Sequence, residues 1–133
     1  ISPEITAFSK AIMKFEAGDR ANRTNNPGAL AIKVGQPSKL VQQLWHLFHQ
    51  FPDLDQEKFG PKGNEYSTLV FENYNDGVQA LRFVVGNIMK NTYLKTGDVS
   101  DFVSTYTGLP KNSDTVRNYS DEIRMNLKEI SNE

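Results

Sequence analysis

The sequence predicts a mainly α fold of the α+β class, with a small β-hairpin beside the helices. Apolar residues recur at helical spacing in five stretches of the chain. Only two short runs, residues 29–34 and 67–71, are rich in strand-forming residues, and they are predicted to pair. With 133 residues and 38% apolar content, the chain is expected to form a single domain with a modest core.

The first helix is predicted to begin after Ser2 and to end before Gly18. Ser2 can cap free backbone amides, Pro3 tolerates the first helical position, and Gly18 is a natural stop. Glu16 follows Ile12 by four residues, so it falls on the apolar stripe in the last turn. The stripe consists of Ile5, Phe8, Ile12 and Phe15.

The middle of the chain alternates polar and helical segments. Residues 19–28 are polar and turn-forming, and we expect a loop there. Residues 38–51 repeat apolar side chains at helical spacing and are predicted to form an amphipathic helix that ends before Pro52. Its aromatic residues, Trp45, Phe48 and Phe51, are interpreted as core packing. Residues 53–64 contain Pro, Gly and mixed charges, and we expect an exposed, flexible loop.

Three more helices are predicted in the second half of the chain. Asp76 with Gln79 resembles a capping box, so a helix should start at Asp76. A second helix should start near Asp98 and end at Gly108, and the last should start near Ser113. The inward positions of that last helix are Val116, Tyr119, Ile123, Leu127 and Ile130.

Charge and composition exclude several classes of function. Fifteen Lys and Arg residues against sixteen Asp and Glu residues give a net charge of -1, so nucleic acid is not an expected partner. No apolar run approaches the roughly 20 residues of a membrane-spanning helix. The chain has no Cys, and His46 and His49 have no third ligand at metal-binding spacing. We therefore expect no membrane span, no cofactor and no metal site.

Several short motifs follow one another along the chain. They are Glu16, Arg-Thr-Asn-Asn-Pro-Gly-Ala-Leu at residues 23–30, Phe71, Asp76-Gly77 leading into Ala80-Leu81, and Tyr106-Thr107-Gly108 followed by Tyr119. In this order they resemble the lysozyme-like lytic transglycosylase and muramidase domains of phage and bacterial origin. The resemblance spans most of the chain, and its specificity comes from the order and spacing of the motifs.

The resemblance implies a lysozyme-like helical domain that cleaves the glycan strands of peptidoglycan. Glu16 then corresponds to the helix-end acid and base. Asn25 and Asn26 would shape the groove and bind sugar or the catalytic carboxyl. Tyr106 would orient the acetamido group or Glu16, and Tyr119 would support that wall. A carboxylic acid can donate its proton near neutral pH only where desolvation disfavours its charged form, so we expect an apolar setting for Glu16.

The resemblance leaves two reactions open. In the transglycosylases the 6-hydroxyl of the muramic acid attacks and gives a 1,6-anhydro product, so no second carboxylate is needed. A hydrolytic muramidase would use a second carboxylate to activate water or to stabilise positive charge. By position the candidates are Asp19, Glu72 and Asp76. Glu72 lies at a strand end that can face a groove and is predicted to bind substrate, whereas Asp76 is better explained as a helix cap.

The chain departs from the family pattern at two places. Ala29 stands where relatives usually carry Asn, which removes one side-chain amide. Residues 38–64 are longer and more helical than expected and are interpreted as an insertion, with residues 38–51 as a possible surface for a protein partner. These departures keep a rival open: a non-catalytic glycan-binding or structural module of a virion or secretion apparatus. A helical adaptor unrelated to sugars is a third reading.

The expected location follows from the substrate. The chain begins with Ile1 rather than Met, so we expect it to be a processed piece of a longer protein. A domain that acts on peptidoglycan is expected to be periplasmic, secreted or associated with a virion.

Overall fold

The computed structural model describes residues 2–131, and within that range it contains seven helices and one three-stranded antiparallel sheet. The mainly α prediction of the α+β class is confirmed. In chain order the elements are α1 Pro3–Glu16, α2 Asp19–Arg23, β1 Ala31–Lys33, α3 Lys39–Phe48, β2 Asp53–Phe59, β3 Tyr66–Val70, α4 Tyr74–Asn91, α5 Tyr93–Thr96, α6 Val99–Thr107 and α7 Asp114–Ser131.

The chain divides into two compact units. Residues 16–81 form the sheet unit, which contains all three strands. The described residues on either side of that range form the helical unit, and the boundary falls within α4, between Leu81 and Arg82. No helix in residues 2–131 combines the length and the apolar character that a bilayer crossing requires.

The helical unit has a core of aromatic and β-branched side chains. Phe8 of α1 is fully buried, and its ring meets Phe102 edge-on at 4.7 Å and Tyr93 at 5.1 Å. Asn126 of α7 donates from Nδ2 to the Ala7 carbonyl at 2.9 Å, so α7 is held against α1. The other fully buried apolar residues of this core include Ala7, Ala11, Ile12, Val85, Val116 and Ile123.

The helix ends of this unit agree with the cap chemistry of the sequence. The Ser2 hydroxyl accepts the Ile5 N–H at 3.1 Å, and the Asp98 carboxylate accepts the Ser100 N–H at 2.9 Å. Ser113 caps α7 by accepting the Val116 N–H at 3.2 Å. Gly108 closes α6 with a φ of 72°. The predicted helix starts at Ser2, Asp98 and Ser113 are confirmed.

One residue of the predicted buried stripe of α1 is more exposed than expected. Phe15 was expected to be buried, yet it is 40% exposed. Its ring stacks on Tyr119 of α7 at 4.6 Å between centroids. The apolar face of α1 is therefore less completely buried at its C-terminal end.

The sheet has the strand order β1-β3-β2. Ala31 pairs with Thr68, so the predicted pairing of the two strand-forming runs is confirmed. The expectation of an exposed, flexible loop over residues 53–64 is wrong for residues 53–59, because β2 occupies Asp53–Phe59 and pairs with β3 through Leu54 and Leu69. This edge strand is mostly exposed, so its sequence lacks the apolar alternation that predicts strands. Residues 60–64 are exposed and lie outside the strands, as expected.

Two helix boundaries near the sheet differ from the prediction. The predicted loop over residues 19–28 begins instead with the short helix α2. The start of α4 lies earlier than Asp76, because Asn73 caps it: its Oδ1 accepts the Asp76 N–H at 2.9 Å, and its Nδ2 donates to the Asp76 carboxylate at 3.3 Å. The interpretation of Asp76 as the cap is therefore wrong, and Asp76 is the acidic partner of that cap.

Helix α3 begins as predicted but buries little of its aromatic face. Ser38 caps it by accepting the Val41 N–H at 3.4 Å. His49, with a φ of 55°, closes it, so the helix ends at Phe48 and not, as predicted, just before Pro52. Leu44 is fully buried, whereas Trp45 is 38% exposed and Phe51 is 58% exposed. The interpretation of these two aromatic residues as core packing is wrong, because helical spacing defines a stripe without showing how much of it is covered.

Candidate functional site

Glu16 is the last residue of α1 and the first residue of the sheet unit. Its side chain is half-buried, whereas Ile12, one turn earlier, is fully buried. After Gly18 the chain forms α2 and then enters the segment Thr24–Leu30, which we call the Asn-Pro-Gly loop. Glu16 thus stands at a helix end beside this loop in the chain, as the sequence predicts.

Asn26 fixes the shape of the Asn-Pro-Gly loop. Its side chain is fully buried, and Nδ2 donates to the Leu30 carbonyl at 2.9 Å and to the Leu69 carbonyl at 2.8 Å. Its Oδ1 accepts the Leu30 N–H at 3.0 Å. Because both amide protons are used and no surface is exposed, Asn26 can serve a site only through the conformation of the loop. The expected direct contact with sugar does not fit this burial.

Asn25 joins the loop to the end of β3. Its backbone has a φ of 53°, a left-handed conformation that Asn tolerates better than most residues. Its Nδ2 donates to the Phe71 carbonyl at 3.0 Å, and the Phe71 N–H donates to the Thr24 carbonyl at 2.9 Å. The backbone of Phe71 therefore anchors the loop at the end of β3. Asn25 is half-buried and keeps part of its surface exposed.

The loop packs against one face of α4. A Cβ on Gly77 would lie 1.9 Å from the Asn25 carbonyl oxygen, so only glycine fits there. A Cβ on Gly28 would lie 2.5 Å from Cδ1 of Leu81. Gly77 and Leu81 are four residues apart and share a helix face. The two motifs, separated by about fifty residues in sequence, are thus one packed structure in the sheet unit.

Ala29 occupies a backbone conformation that disfavours alanine. Its φ is 52°, in the left-handed region, where a residue with a Cβ costs about 1–2 kcal/mol relative to the usual helical conformation. Asn is less disfavoured there because its side chain can hydrogen-bond locally. An Asn at this position would therefore fit the backbone conformation better than Ala29 does.

Replacing Ala29 with Gly is expected to stabilise the protein by about 1 kcal/mol. The relief of left-handed strain exceeds the added chain entropy of the unfolded glycine variant. Ala31→Gly in β1, where φ is not positive, should instead lower the unfolding free energy by about 0.5–1 kcal/mol. Urea denaturation of both variants measures the difference. Equal or lower stability of Ala29→Gly would contradict strain at this position.

Two arginines that follow Glu16 in sequence are bound by β2. Arg23 forms a bidentate pair with Asp55, with distances of 2.8 and 3.0 Å, and also lies 3.4 Å from Glu57. Arg20 lies 3.9 Å from Glu57, and its guanidinium sits over the Phe59 ring at 4.7 Å. The segment interpreted as an insertion therefore holds α2 in place. The sequence did not predict the role of Asp55, because nothing in a segment expected to be a loop indicated an ion pair with Arg23.

The Arg23–Asp55 pair is expected to make stability depend on pH in the acid range. The hydrogen bonds from Arg23 hold the pKa of Asp55 below its usual value. Asp55 therefore contributes stability at pH values above its unfolded pKa of about 4, and loses that contribution as the pH falls through its lower folded pKa. The hydrogen bond from Lys111 lowers the pKa of Asp101 in the same way.

In urea unfolding measured from pH 7 to pH 2, Asp55→Asn should be less stable than the wild type at neutral pH. The gap should begin to narrow as the pH falls below about 4 and should close as the pH falls through the lower folded pKa of Asp55, where the wild type loses the ion pair. Glu65→Gln, at an exposed carboxyl with no ion pair to any residue in the described part of the chain, is the matched control and should keep the wild-type profile. A constant gap at all pH values would show that the pair does not act through its charge.

A cavity of about 310 Å³ lies in the sheet unit between the end of α3, the start of β2, the end of β3 and the start of α4. Its apolar part includes the rings of Phe48, Phe51 and Phe71. Glu72, which was predicted to face a groove, lines this cavity together with Asp76. Two of the three carboxylates considered for a hydrolytic reaction are thus at one cavity. The third, Asp19, is 99% exposed and lies 3.9 Å from Arg23.

The two predicted tyrosines belong to the helical unit. Tyr119 is only 5% exposed and stacks on Phe15. Tyr106 is half-buried, and its ring lies nearly parallel to that of Phe102 at 6.0 Å. Both rings are therefore part of the packing of α6 and α7. The structure places Glu16, Asn25, Asn26 and Glu72 in the sheet unit.

The histidines of α3 lie beside an aromatic ring. His46 and His49 are 5.4 and 5.9 Å from Trp45, each edge-on. Within residues 2–131 no three His, Cys, Asp or Glu side chains are grouped closely enough to hold a metal ion. Both histidines are exposed polar neighbours of Trp45.

No family model, curated protein or solved structure matches this chain.

Proposed function

We propose that the chain cleaves the β-1,4 bond between MurNAc and GlcNAc in peptidoglycan, with Glu16 as the single acid and base. The observation behind the proposal is the half-buried Glu16 at the end of α1, followed by a loop whose backbone is fixed by Asn25, Asn26 and Gly77. A proton donor needs a fixed position, and the loop that follows Glu16 and α2 in the chain has a backbone held by several contacts.

The proposed reaction is that of a lytic transglycosylase. Protonated Glu16 donates its proton to the glycosidic oxygen as the bond to the sugar carbon breaks, and positive charge develops on the ring. The 6-hydroxyl of the same MurNAc then attacks that carbon, and the Glu16 carboxylate takes the hydroxyl proton. The products are a 1,6-anhydro sugar and a free GlcNAc hydroxyl, and Glu16 ends protonated as it began.

The transglycosylase reaction is favoured over hydrolysis by the positions of the other carboxylates. Asp19 is almost fully exposed, and Asp76 is held by Asn73 at the start of α4. Glu72 remains the candidate for activating water in a hydrolytic reaction, since it is exposed at the cavity. A substrate-binding role for Asn25 is part of the same proposal, with Asn26 acting through the loop. Tyr106 is proposed to orient the acetamido group or Glu16, and Tyr119, which is only 5% exposed, to support Tyr106 rather than to touch sugar.

Mass spectrometry of the soluble products from purified cell-wall sacculi tests the proposed reaction. We expect muropeptides that end in 1,6-anhydro-MurNAc, which are lighter by one water than the products of hydrolysis. Products with reducing ends would replace the transglycosylase reaction by the muramidase reaction and would direct attention to Glu72. An absence of released glycan fragments would contradict both.

A non-catalytic glycan-binding or structural module is the second candidate. Two observations favour it: Ala29 in place of the usual Asn, and the exposed Trp45 and Phe51 of the α3 region. Exposed aromatic side chains are typical of binding surfaces, for a protein partner or for the faces of sugar rings. This candidate predicts that the chain pulls down with purified glycan strands and releases no muropeptide from them.

A further inference from the structure

The cavity beside β3 has the size and walls of a small-ligand site. Its volume of about 310 Å³ is at the lower end of ligand-binding cavities in proteins, which suits one side chain or a similarly small group. Phe48 and Phe71 lie 6.1 Å apart and tilted by 58°, so they present apolar surface at an angle to each other. Phe51, 58% exposed, forms part of the opening.

The charges around the cavity are all of one sign. Asp53, Glu72 and Asp76 line it, and none of the described residues that line it is Lys, Arg or His. Within residues 2–131, none of these three carboxylates forms an ion pair. The N-terminus of α4 adds about half a positive charge, which three carboxylates outweigh. The cavity therefore disfavours anions and favours a cation.

We propose that this cavity binds an alkylammonium group carried on an aliphatic arm, as in a lysine-type side chain of a peptide. The carboxylates of Asp53 and Glu72 would accept charge-assisted hydrogen bonds from the ammonium. The phenylalanine ring faces attract a cation, and the apolar walls cover the methylene groups of the arm. Asp76, already held by Asn73, contributes charge from a fixed position. This site needs no glycan cleavage, so it goes beyond the proposed enzymatic function.

Binding of small amines to the full chain tests the proposal. Nα-acetyl-lysine methylamide is titrated into the protein and followed by NMR amide shifts, beside the norleucine analogue, which has the same arm without the amine. We expect saturable binding of the lysine compound, with shifts centred on residues 48–53 and 70–76. The affinity of the norleucine compound should be lower by a factor of at least about ten. Equal binding of the two compounds, or no saturable binding of the lysine compound, would overturn the proposal.

Charge-neutralising variants localise the effect. The double variant Asp53→Asn and Glu72→Gln should weaken binding of the lysine compound by about tenfold or more and leave binding of norleucine unchanged. Both side chains are exposed, so the unfolding midpoint should stay near that of the wild type. Glu65→Gln, which changes the net charge but lies outside the lining, should keep wild-type affinity. An equal loss in Glu65→Gln would mean that the amine senses only the overall charge.

Discussion

Replacing Gly77 with Ala is expected to destabilise the protein by about 3 kcal/mol or more, which is among the larger effects of a single methyl group. The new Cβ would lie 1.9 Å from the Asn25 carbonyl oxygen and 2.9 Å from Cδ of Pro27. Neither atom is the end of a flexible side chain, so the loop or the start of α4 must move. The midpoint of thermal unfolding should fall by roughly 10 °C.

Gly86 in the same helix provides a matched control. A Cβ there would meet only Cδ1 of Ile5, at 3.3 Å, and that side-chain end can shift. Because alanine has a higher helix propensity than glycine, Gly86→Ala should raise stability by up to about 1 kcal/mol. The two substitutions add the same methyl group, but the predicted changes in stability have opposite signs. Similar stabilities of Gly77→Ala and Gly86→Ala would contradict the packing of the Asn-Pro-Gly loop on α4.

Replacing Glu16 with Gln is expected to lower the rate of glycan cleavage by at least about a hundredfold. General acid–base catalysis by a positioned side chain typically contributes that factor or more, and Gln has the shape of Glu without the proton to donate. Stability should change by less than about 1 kcal/mol, because the side chain is only half-buried. The measurement is the initial rate of turbidity loss in a suspension of purified sacculi.

Glu4→Gln is the control for charge on the same helix. Glu4 lies in the first turn of α1, at the opposite end from Glu16, and its substitution removes the same charge. It should keep wild-type activity. Loss of activity in Glu4→Gln comparable to that in Glu16→Gln would show that the assay responds to charge or folding rather than to the proton donor.

The parts of the fold that the sequence predicted well are those set by local chemistry. Ser2, Ser38, Asp98 and Ser113 each cap a helix by accepting a backbone N–H two or three residues ahead, so the signal and the structure lie in the same short segment. The pairing of β1 with β3 was also predicted, because both runs are rich in strand-forming residues.

The parts that the sequence did not predict depend on partners distant along the chain. Helix α2 and strand β2 hold each other through Arg23 and Asp55, which are 32 residues apart. Asn26 is fixed by a hydrogen bond to the Leu69 carbonyl, 43 residues away, and no local sequence pattern predicts this bond. Trp45 follows helical periodicity, yet the elements around α3 leave it exposed.

The candidate site was predicted in part for the same reasons. The position of Glu16 at a helix end follows from the spacing of apolar residues in α1, which is local information. The sequence linked the Asn-Pro-Gly loop and Gly77 only through the resemblance of both motifs to one family. The structure shows that the two are in contact, because Gly77 packs against the Asn25 carbonyl. The lining of the cavity beside Glu72 comes from four elements, α3, β2, β3 and α4, so its shape could not be derived from any one segment.

The most direct measurement of the central claim compares the wild type and Glu16→Gln on one preparation of purified sacculi, with released muropeptides identified by mass spectrometry. We predict 1,6-anhydro muropeptides from the wild type and almost none from a Glu16→Gln variant that unfolds at the wild-type midpoint. Release of the same fragments at the same rate by both proteins, or by neither, would contradict the assignment of Glu16 as the acid and base.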